Sequence, residues 1–157
     1  MKSLKHDFFK SLILFLVGAV IYLILEILWR GYTHWTMGIV GGFSFICVGL
    51  INELFPMDMY MEYQACIASV MITVIEFISG CIINIKFGLN VWDYSMLPFN
   101  IEGQVCLLYT NLWYWLSMVA IVLDDGLRYK YWDEEQPKYK SIVYNKIKPW
   151  FYNRKLK

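Results

Sequence analysis

SLILFLVGAVIYLILEILW, residues 11–29, is a run of nineteen residues carrying one charge, Glu26. A hydrocarbon core of ~30 Å needs ~20 predominantly apolar residues in a helix, so this stretch predicts a membrane span. Lys2, Lys5 and Lys10 precede it, as basic residues precede the apolar core of a signal peptide. The run is too long for that, it ends in Glu26 and Arg30, and no small-x-small cleavage site follows, so it is expected to be an uncleaved first helix.

Outward from this run, three further apolar stretches are expected to span: 36–55, 63–85 and 101–123. Each is bounded by charge, Gly or Pro. The apolar fraction is 59% and the mean hydropathy +0.45, which excludes an ordinary soluble globular chain. The net charge of +1 hides a segregation: twelve of the fourteen Lys and Arg lie in residues 1–10 or 128–157. The fold class expected is all-α, an integral membrane four-helix bundle (residues 1–125) with an ordered extracytoplasmic loop and an amphipathic, basic and aromatic C-terminal tail (126–157). Basic flanks prefer the cytoplasm. Both termini are therefore expected to be cytoplasmic, residues 30–35 and 86–100 to face outward, and the acidic turn 56–62 to face inward.

Cys47, Cys66, Cys81 and Cys106 all fall inside the expected spans and read as buried free thiols. No CxxC occurs, which argues against a quinone-linked thiol oxidoreductase. No GxxxxGK[ST] occurs, so the chain has no P-loop of its own for ATP.

Helical spacing gathers the polar residues. Gly18, Tyr22, Glu26 and Arg30 recur every four residues and share a face. Gly38, Gly42, Gly49 and Glu53 do so in the second stretch, with Gly38 and Gly42 forming a GxxxG. Ser69, Thr73, Glu76, Gly80 and Asn84 do so in the third. Small residues let helices approach, and polar groups beside them point inward; the GxxxG also suits a homodimer seam. A carboxylate inside a bilayer costs ~2.5–3.5 kcal/mol even on insertion scales. Glu26, Glu53 and Glu76 therefore require an explanation, but they lie at different depths, which disfavours one metal site. Two readings stay open: an outward polar cavity bounded by Glu26, Glu76 and Asn84, or acids that only fix helix packing.

Arg30, His34, Asp93 and Tyr94 are expected at the outer surface. Two histidines, His6 and His34, exclude a His-rich metal site. In NVWDYSMLPFN (90–100), Trp92 and Tyr94 suit the headgroup level. Asp93 suits an Asx turn, Asn100 a helix cap and Glu102 a first helical turn. The segment reads either as a capped interfacial loop or as a lid presenting Asp93 to the cavity. No nucleophile–base–orienter set is evident, so no catalytic residue and no cofactor is assigned.

GAVIYLILEILWRGYTHWTMGIVGG (18–42), VIEFISGCIINIKFGLNVWDYSMLPFNIEGQVCL (74–107) and NLWYW (111–115) resemble the bacterial family of ABC-transporter type IV permeases. A vertebrate four-span family shares the Glu-Phe-x-x-Gly segment followed by Trp-Asp-Tyr-Ser. The resemblance covers roughly residues 17–125 and implies a small multi-span protein of the bacterial cytoplasmic membrane. It carries over to Glu26, Trp29, Arg30, His34, Met37, Gly41, Gly42, Glu76, Gly80, Asn84, Trp92, Asp93, Tyr94, Ser95, Asn100, Gly103 and Gln104. It brings no catalytic role.

Within residues 138–152, Tyr139, Ile142, Val143, Ile147, Trp150 and Phe151 fall at helical spacing and the lysines mostly on other faces. This predicts an amphipathic segment on the inner leaflet rather than a nucleic-acid surface. Three functions remain open. The first is a transport or ligand-binding component whose cavity or loop uses Glu26, Arg30, His34, Glu76, Asn84, Trp92, Asp93, Tyr94 and Asn100, with Gly38, Gly42, Gly49 and Gly80 packing the helices. The second is an intramembrane enzyme acting on a lipid or isoprenoid. The third is a structural subunit. The bilayer is the expected partner; a homo-oligomer, a partner membrane subunit and an ATPase stay open.

Overall fold

α1 runs from Lys2 to Arg30 in a computed structural model that describes residues 2–55 and 59–142. It stops where Gly31 takes a φ of +79°. His34 then restarts the chain: its Nδ1 accepts the Thr36 N–H at 3.4 Å and caps α2, Trp35–Gly49. α2 has 15 residues, only ~22 Å at ~1.5 Å per residue. Leu50 interrupts it and a single turn, α3, follows at Ile51–Leu54. The expected span 36–55 is therefore shorter than anticipated. α2 can be short because it sits at the centre of the bundle, with ten of its 15 residues buried.

α4, Met61–Gly80, continues without a break into a π-helical segment, Cys81–Lys86. Together they match the expected third span. α5 is Leu107–Tyr131. The expected fourth span began at 101, but residues 100–106 form a small antiparallel hairpin, β1 (Asn100–Ile101) paired with β2 (Val105–Cys106). Phe99, Glu102 and Gly103 adopt positive φ there, which no helix accommodates. Asn100 accordingly does not cap α5, where Cys106 stands without a side-chain cap, and Glu102 is not in its first turn. At its other end α5 passes the expected domain boundary at 125 and stops at Tyr131.

The helices α1, α4 with its extension, and α5 are long and apolar enough to cross a bilayer. Their outer faces carry large apolar side chains such as Leu28, Val70 and Val119, all more than half exposed. Such faces suit lipid, and the chain is an all-α integral membrane bundle. α1 packs on α2, α4 packs on α5, and α2 joins the two pairs by packing on both α4 and α5. A Cβ at Gly42 would lie 2.7 Å from the Phe15 carbonyl oxygen, and one at Gly41 2.3 Å from the Tyr22 Cβ. Glycine is what lets α1 and α2 approach so closely. The Gly38–Gly42 seam is thus occupied by α1, with Gly38 against Leu23, and is not left for a second copy. Val48, Ile51, Ala68, Ile72, Trp113 and Ile121 form the main core.

Both ends of the bundle are tied by charge. At one end Lys10 pairs with Glu134 and lies 3.7 Å from Glu53. Arg128 bridges Asp124 and Glu53, each at 2.6 Å. Residues 132–142 turn back onto this end, where Tyr139 is buried, its hydroxyl 2.7 Å from Asp125 Oδ2. Burial, and then Asp125, pushes the Tyr139 phenol well above its ordinary value. The expected amphipathic tail falls mostly on residues 143–157, outside the described residues. All four cysteines are free thiols; Cys106 is buried, Cys47 and Cys81 are half-buried, and Cys66 is exposed rather than buried.

Candidate functional site

The end opposite Lys10 carries most of the residues singled out from the sequence. Glu26 is one turn before the end of α1, and its Oε1 accepts from Arg30 Nη2 at 2.6 Å. Its other oxygen accepts from the Thr33 hydroxyl. Arg30 also donates through Nη1 to the Val91 carbonyl at 3.0 Å, which ties α1 to the loop 87–106, and its guanidinium carbon lies 4.6 Å from the Tyr32 ring centroid. Its Nε is buried and unpartnered.

Glu76 on α4 is 2% exposed. One oxygen accepts from the Tyr94 hydroxyl at 3.1 Å and the other from Trp113 Nε1 at 2.8 Å. A carboxyl so far from water stays tolerable only because both oxygens are bonded. Trp113 also stacks on Tyr22, and Tyr94 stacks on Tyr109 with 4.4 Å between ring centroids. Burial, and then Glu76, pushes the Tyr94 phenol far above its ordinary range, so it remains a donor.

These rings wall a cavity of about 190 Å³ between α1 and α5, which Glu26, Arg30, Tyr94, Tyr109 and Trp113 line. The structure therefore brings Glu26, Arg30 and Tyr94 to one cavity. Glu76 lies one hydrogen bond behind its wall.

The other expected residues do different work. Asn84, aimed by the π-helical turn, is buried and bonds in three directions. Its Nδ2 donates to the Trp92 carbonyl at 3.0 Å and to Gln104 Oε1 at 2.9 Å, and its Oδ1 accepts from Val91 N at 2.8 Å. Trp92 donates to the Gln104 carbonyl at 2.9 Å and is buried rather than interfacial. Gly80 makes room for both, since a Cβ there would lie 2.6 Å from Gln104 Oε1 and 3.1 Å from the Trp92 ring. Asp93 accepts from Ser95 N at 2.8 Å, an Asx turn on the exposed side of the loop rather than a group presented to the cavity. Asn100 joins Leu97 and Gly103 across the hairpin turn. His34 caps α2, as described, and does not line the cavity.

The loop is thus a latched structure. It holds Asn90, Phe99 and Glu102 at positive φ, conformations that cost ~1–3 kcal/mol each unless surrounding contacts fix them. Its effect is to fix Tyr94 against Glu76 and Tyr109. Among the described residues no cluster of His, Cys, Asp and Glu suits a metal ion. Sequence reasoning left out Tyr109 and did not single out Trp113, although NLWYW contained the latter. An aromatic residue in the first two turns of a span carries no distinctive signal until its neighbour across the bundle is known.

Residues 13–147 match the model of a family described as "Putative ABC-transporter type IV". The chain belongs to that family. Every cavity residue named above lies inside the matched range. The family match and the three long apolar helices together make the chain an integral membrane protein of that family. No curated protein and no solved structure matches it.

Proposed function

We propose that the chain is a membrane transport or ligand-binding component whose site is the cavity between α1 and α5 at the Arg30 end. The observation that carries this reading is the layered carboxyl arrangement. The Glu26–Arg30 pair lines the cavity, and a second, buried carboxyl, Glu76, sits behind it, hydrogen-bonded to Tyr94 and Trp113 of the cavity wall. Acids in a membrane interior mark ion, proton or solute paths more often than they mark packing. Structural caps and packing explain Asp93, Asn100 and His34, but they do not explain an ion pair on a cavity wall. The basic flanks 1–10 and 128–157 support placing both termini in the cytoplasm, with the cavity opening towards the outer leaflet.

Nucleotide hydrolysis, if transport uses it, would come from a partner ATPase, because the chain has no P-loop. The charged face formed by Lys10, Glu53, Arg128 and Glu134 is where such a partner would meet it.

The test is a proteoliposome loaded with a pH-sensitive dye, with a proton gradient imposed. Wild-type protein is expected to dissipate the gradient, and Glu76→Gln, which keeps the shape but loses the acid, is expected to slow this to the level of empty liposomes. Equal dissipation by wild type, Glu76→Gln and protein-free liposomes would sink the proton-path form of the reading.

A further inference from the structure

The cavity does not end at the aromatic wall. Below it, between the same two helices, lies a second hollow of about 110 Å³. Tyr22, Leu25, Trp113 and Leu116 line both, so the two form one groove running along the bundle. The α1 and α5 backbones stay apart along this length and are bridged by side chains, Tyr22 stacking on Trp113 and Trp29 Nε1 donating to the Tyr109 hydroxyl at 3.4 Å; α2 floors the lower hollow, and the gap opens sideways. Its rim residues Leu25, Trp29 and Val119 are exposed on the membrane face.

Two features of the groove bear on its occupant. Ser44 and Ser117, 7% and 1% exposed, line the lower hollow, and neither hydroxyl has a partner. Arg30 Nε at the upper end is also buried and unpartnered. Apart from Tyr22 and the two serine hydroxyls, which a hydrocarbon would leave unpartnered, the side chains lining the lower hollow are apolar, and the feature that calls for an oxygen acceptor is the Arg30 donor at the top. In a bilayer, a gap that opens onto hydrocarbon is filled by whatever hydrocarbon is next to it, since an empty gap forfeits dispersion contacts. The two hollows together reach the lower end of the ~300–1,000 Å³ typical of small-molecule sites.

We propose that the α1–α5 groove binds one hydrocarbon chain of a membrane amphiphile, with its oxygen-bearing head at the Glu26–Arg30 pair. Because Glu26 already neutralises Arg30, the head is recognised as a hydrogen-bond acceptor more than as a charge. The proposal rests on the cavity reading above and gives that site a ligand class. The chain can come from an acyl lipid or from an isoprenoid, and the chemistry of the groove is the same for both.

The test is photocrosslinking of the full chain in nanodiscs, with sites mapped by peptide mass spectrometry. One arm dopes in a phosphatidylcholine with a diazirine on one acyl chain, the other a polyprenyl alcohol with a diazirine. Each probe is made twice, with the diazirine near the head or near the chain end. The expected result is several-fold enrichment at the groove over Val70 and Val74, which face lipid elsewhere. Head-proximal probes should label Trp29 and Tyr109, and chain-end probes Ile21 and Ala120. Ala120→Phe, which fills the groove from its rim, should remove groove labelling and leave Val70 labelling intact. If that variant fails to fold, the head-versus-end order still decides. Enrichment with one probe alone identifies the source of the chain. Uniform labelling with both probes, or a reversed order, overturns the proposal. Uniform labelling with Glu76-dependent proton movement intact would overturn this proposal alone. Groove labelling without proton movement would overturn the transport reading alone.

Discussion

Replacing Asn84 by alanine should unlatch the loop 87–106 and loosen the cavity wall from a distance. Asn84 is buried, and its amide makes three hydrogen bonds to three partners: Val91 N, the Trp92 carbonyl and Gln104 Oε1. Val91 and Gln104 are buried too. A hydrogen bond contributes about 1 kcal/mol net, and each buried group left without a partner costs about 1–3 kcal/mol. Three bonds lost at once put the effect at about 3–4 kcal/mol, towards the lower end because the loop lies at a water-facing end of the bundle. At about 1.4 kcal/mol per tenfold, the Val91 amide should exchange with solvent about two orders of magnitude faster.

The control is Asn100→Ala in the same loop. Asn100 also bonds in three directions, to Ser95, Leu97 and Gly103, but it is half-buried, so water can replace what alanine removes. Its cost should stay near 0.5–1.5 kcal/mol. Hydrogen exchange by mass spectrometry, paired with unfolding in mixed micelles, reads both. Equal costs for the two variants, or an unchanged Val91 amide in Asn84→Ala, would refute the view that burial of this one amide holds the loop.

Gly42→Ala should destabilise by about 1–3 kcal/mol in the same unfolding assay, because its Cβ would meet backbone, the Phe15 carbonyl at 2.7 Å, which cannot rotate away. Arg128→Met should cost about 3–5 kcal/mol by leaving Asp124, which is 0% exposed, without its partner; a double-mutant cycle with Asp124→Leu should recover most of that loss. Tyr139 should titrate late in an alkaline absorbance titration, since its pKa is raised from an ordinary 10.0. Because burial first and Asp125 second raise the folded value, stability is unaffected by this phenol below the ordinary value and falls as pH climbs from there towards the elevated one, where the unfolded phenol ionises and the folded one does not; Tyr139→Phe should remove one late-ionising phenol.

The helical class and three of the four long apolar runs were legible because hydrocarbon imposes its length on sequence. The failures share a cause. The boundary at 101 was misplaced because Phe99, Asn100, Ile101 and Glu102 are ordinary helix-tolerant residues. Only the left-handed turn at Glu102–Gly103, held by the Asn100 carboxamide, makes them a hairpin. Apolarity measured along the chain cannot see a contact between residues three apart that reverses its direction. The second run was read too long for a related reason. Its apolarity continues past Leu50, yet ten of the 15 residues of α2 are buried against its neighbours and only a stripe at Trp35, Ile39 and Phe43 is exposed, so packing more than the bilayer sets its length.

The polar residues divide along the same line. Period-four spacing correctly put Tyr22, Glu26 and Arg30 on one face of α1, because a helix makes that relation local. Which helix they face is not local. Asn84 shares a stripe with Glu76, but the helix widens into a π-turn at Cys81 and carries Asn84 round to the loop, away from the cavity. The Asp124–Arg128 pair was within reach, being four residues apart on one helix. In the sequence, however, the double acid at Asp124 and Asp125 reads as the end of a span. Treating charge as a boundary marker assumes that charges face water. Here Asp124 is wholly buried beside Gly49, whose missing side chain is the space its carboxylate occupies. In a bundle this small, an acid near a helix end therefore points to a glycine on a neighbouring helix as readily as to the membrane surface, and the glycine is the half of that pair a sequence can reveal.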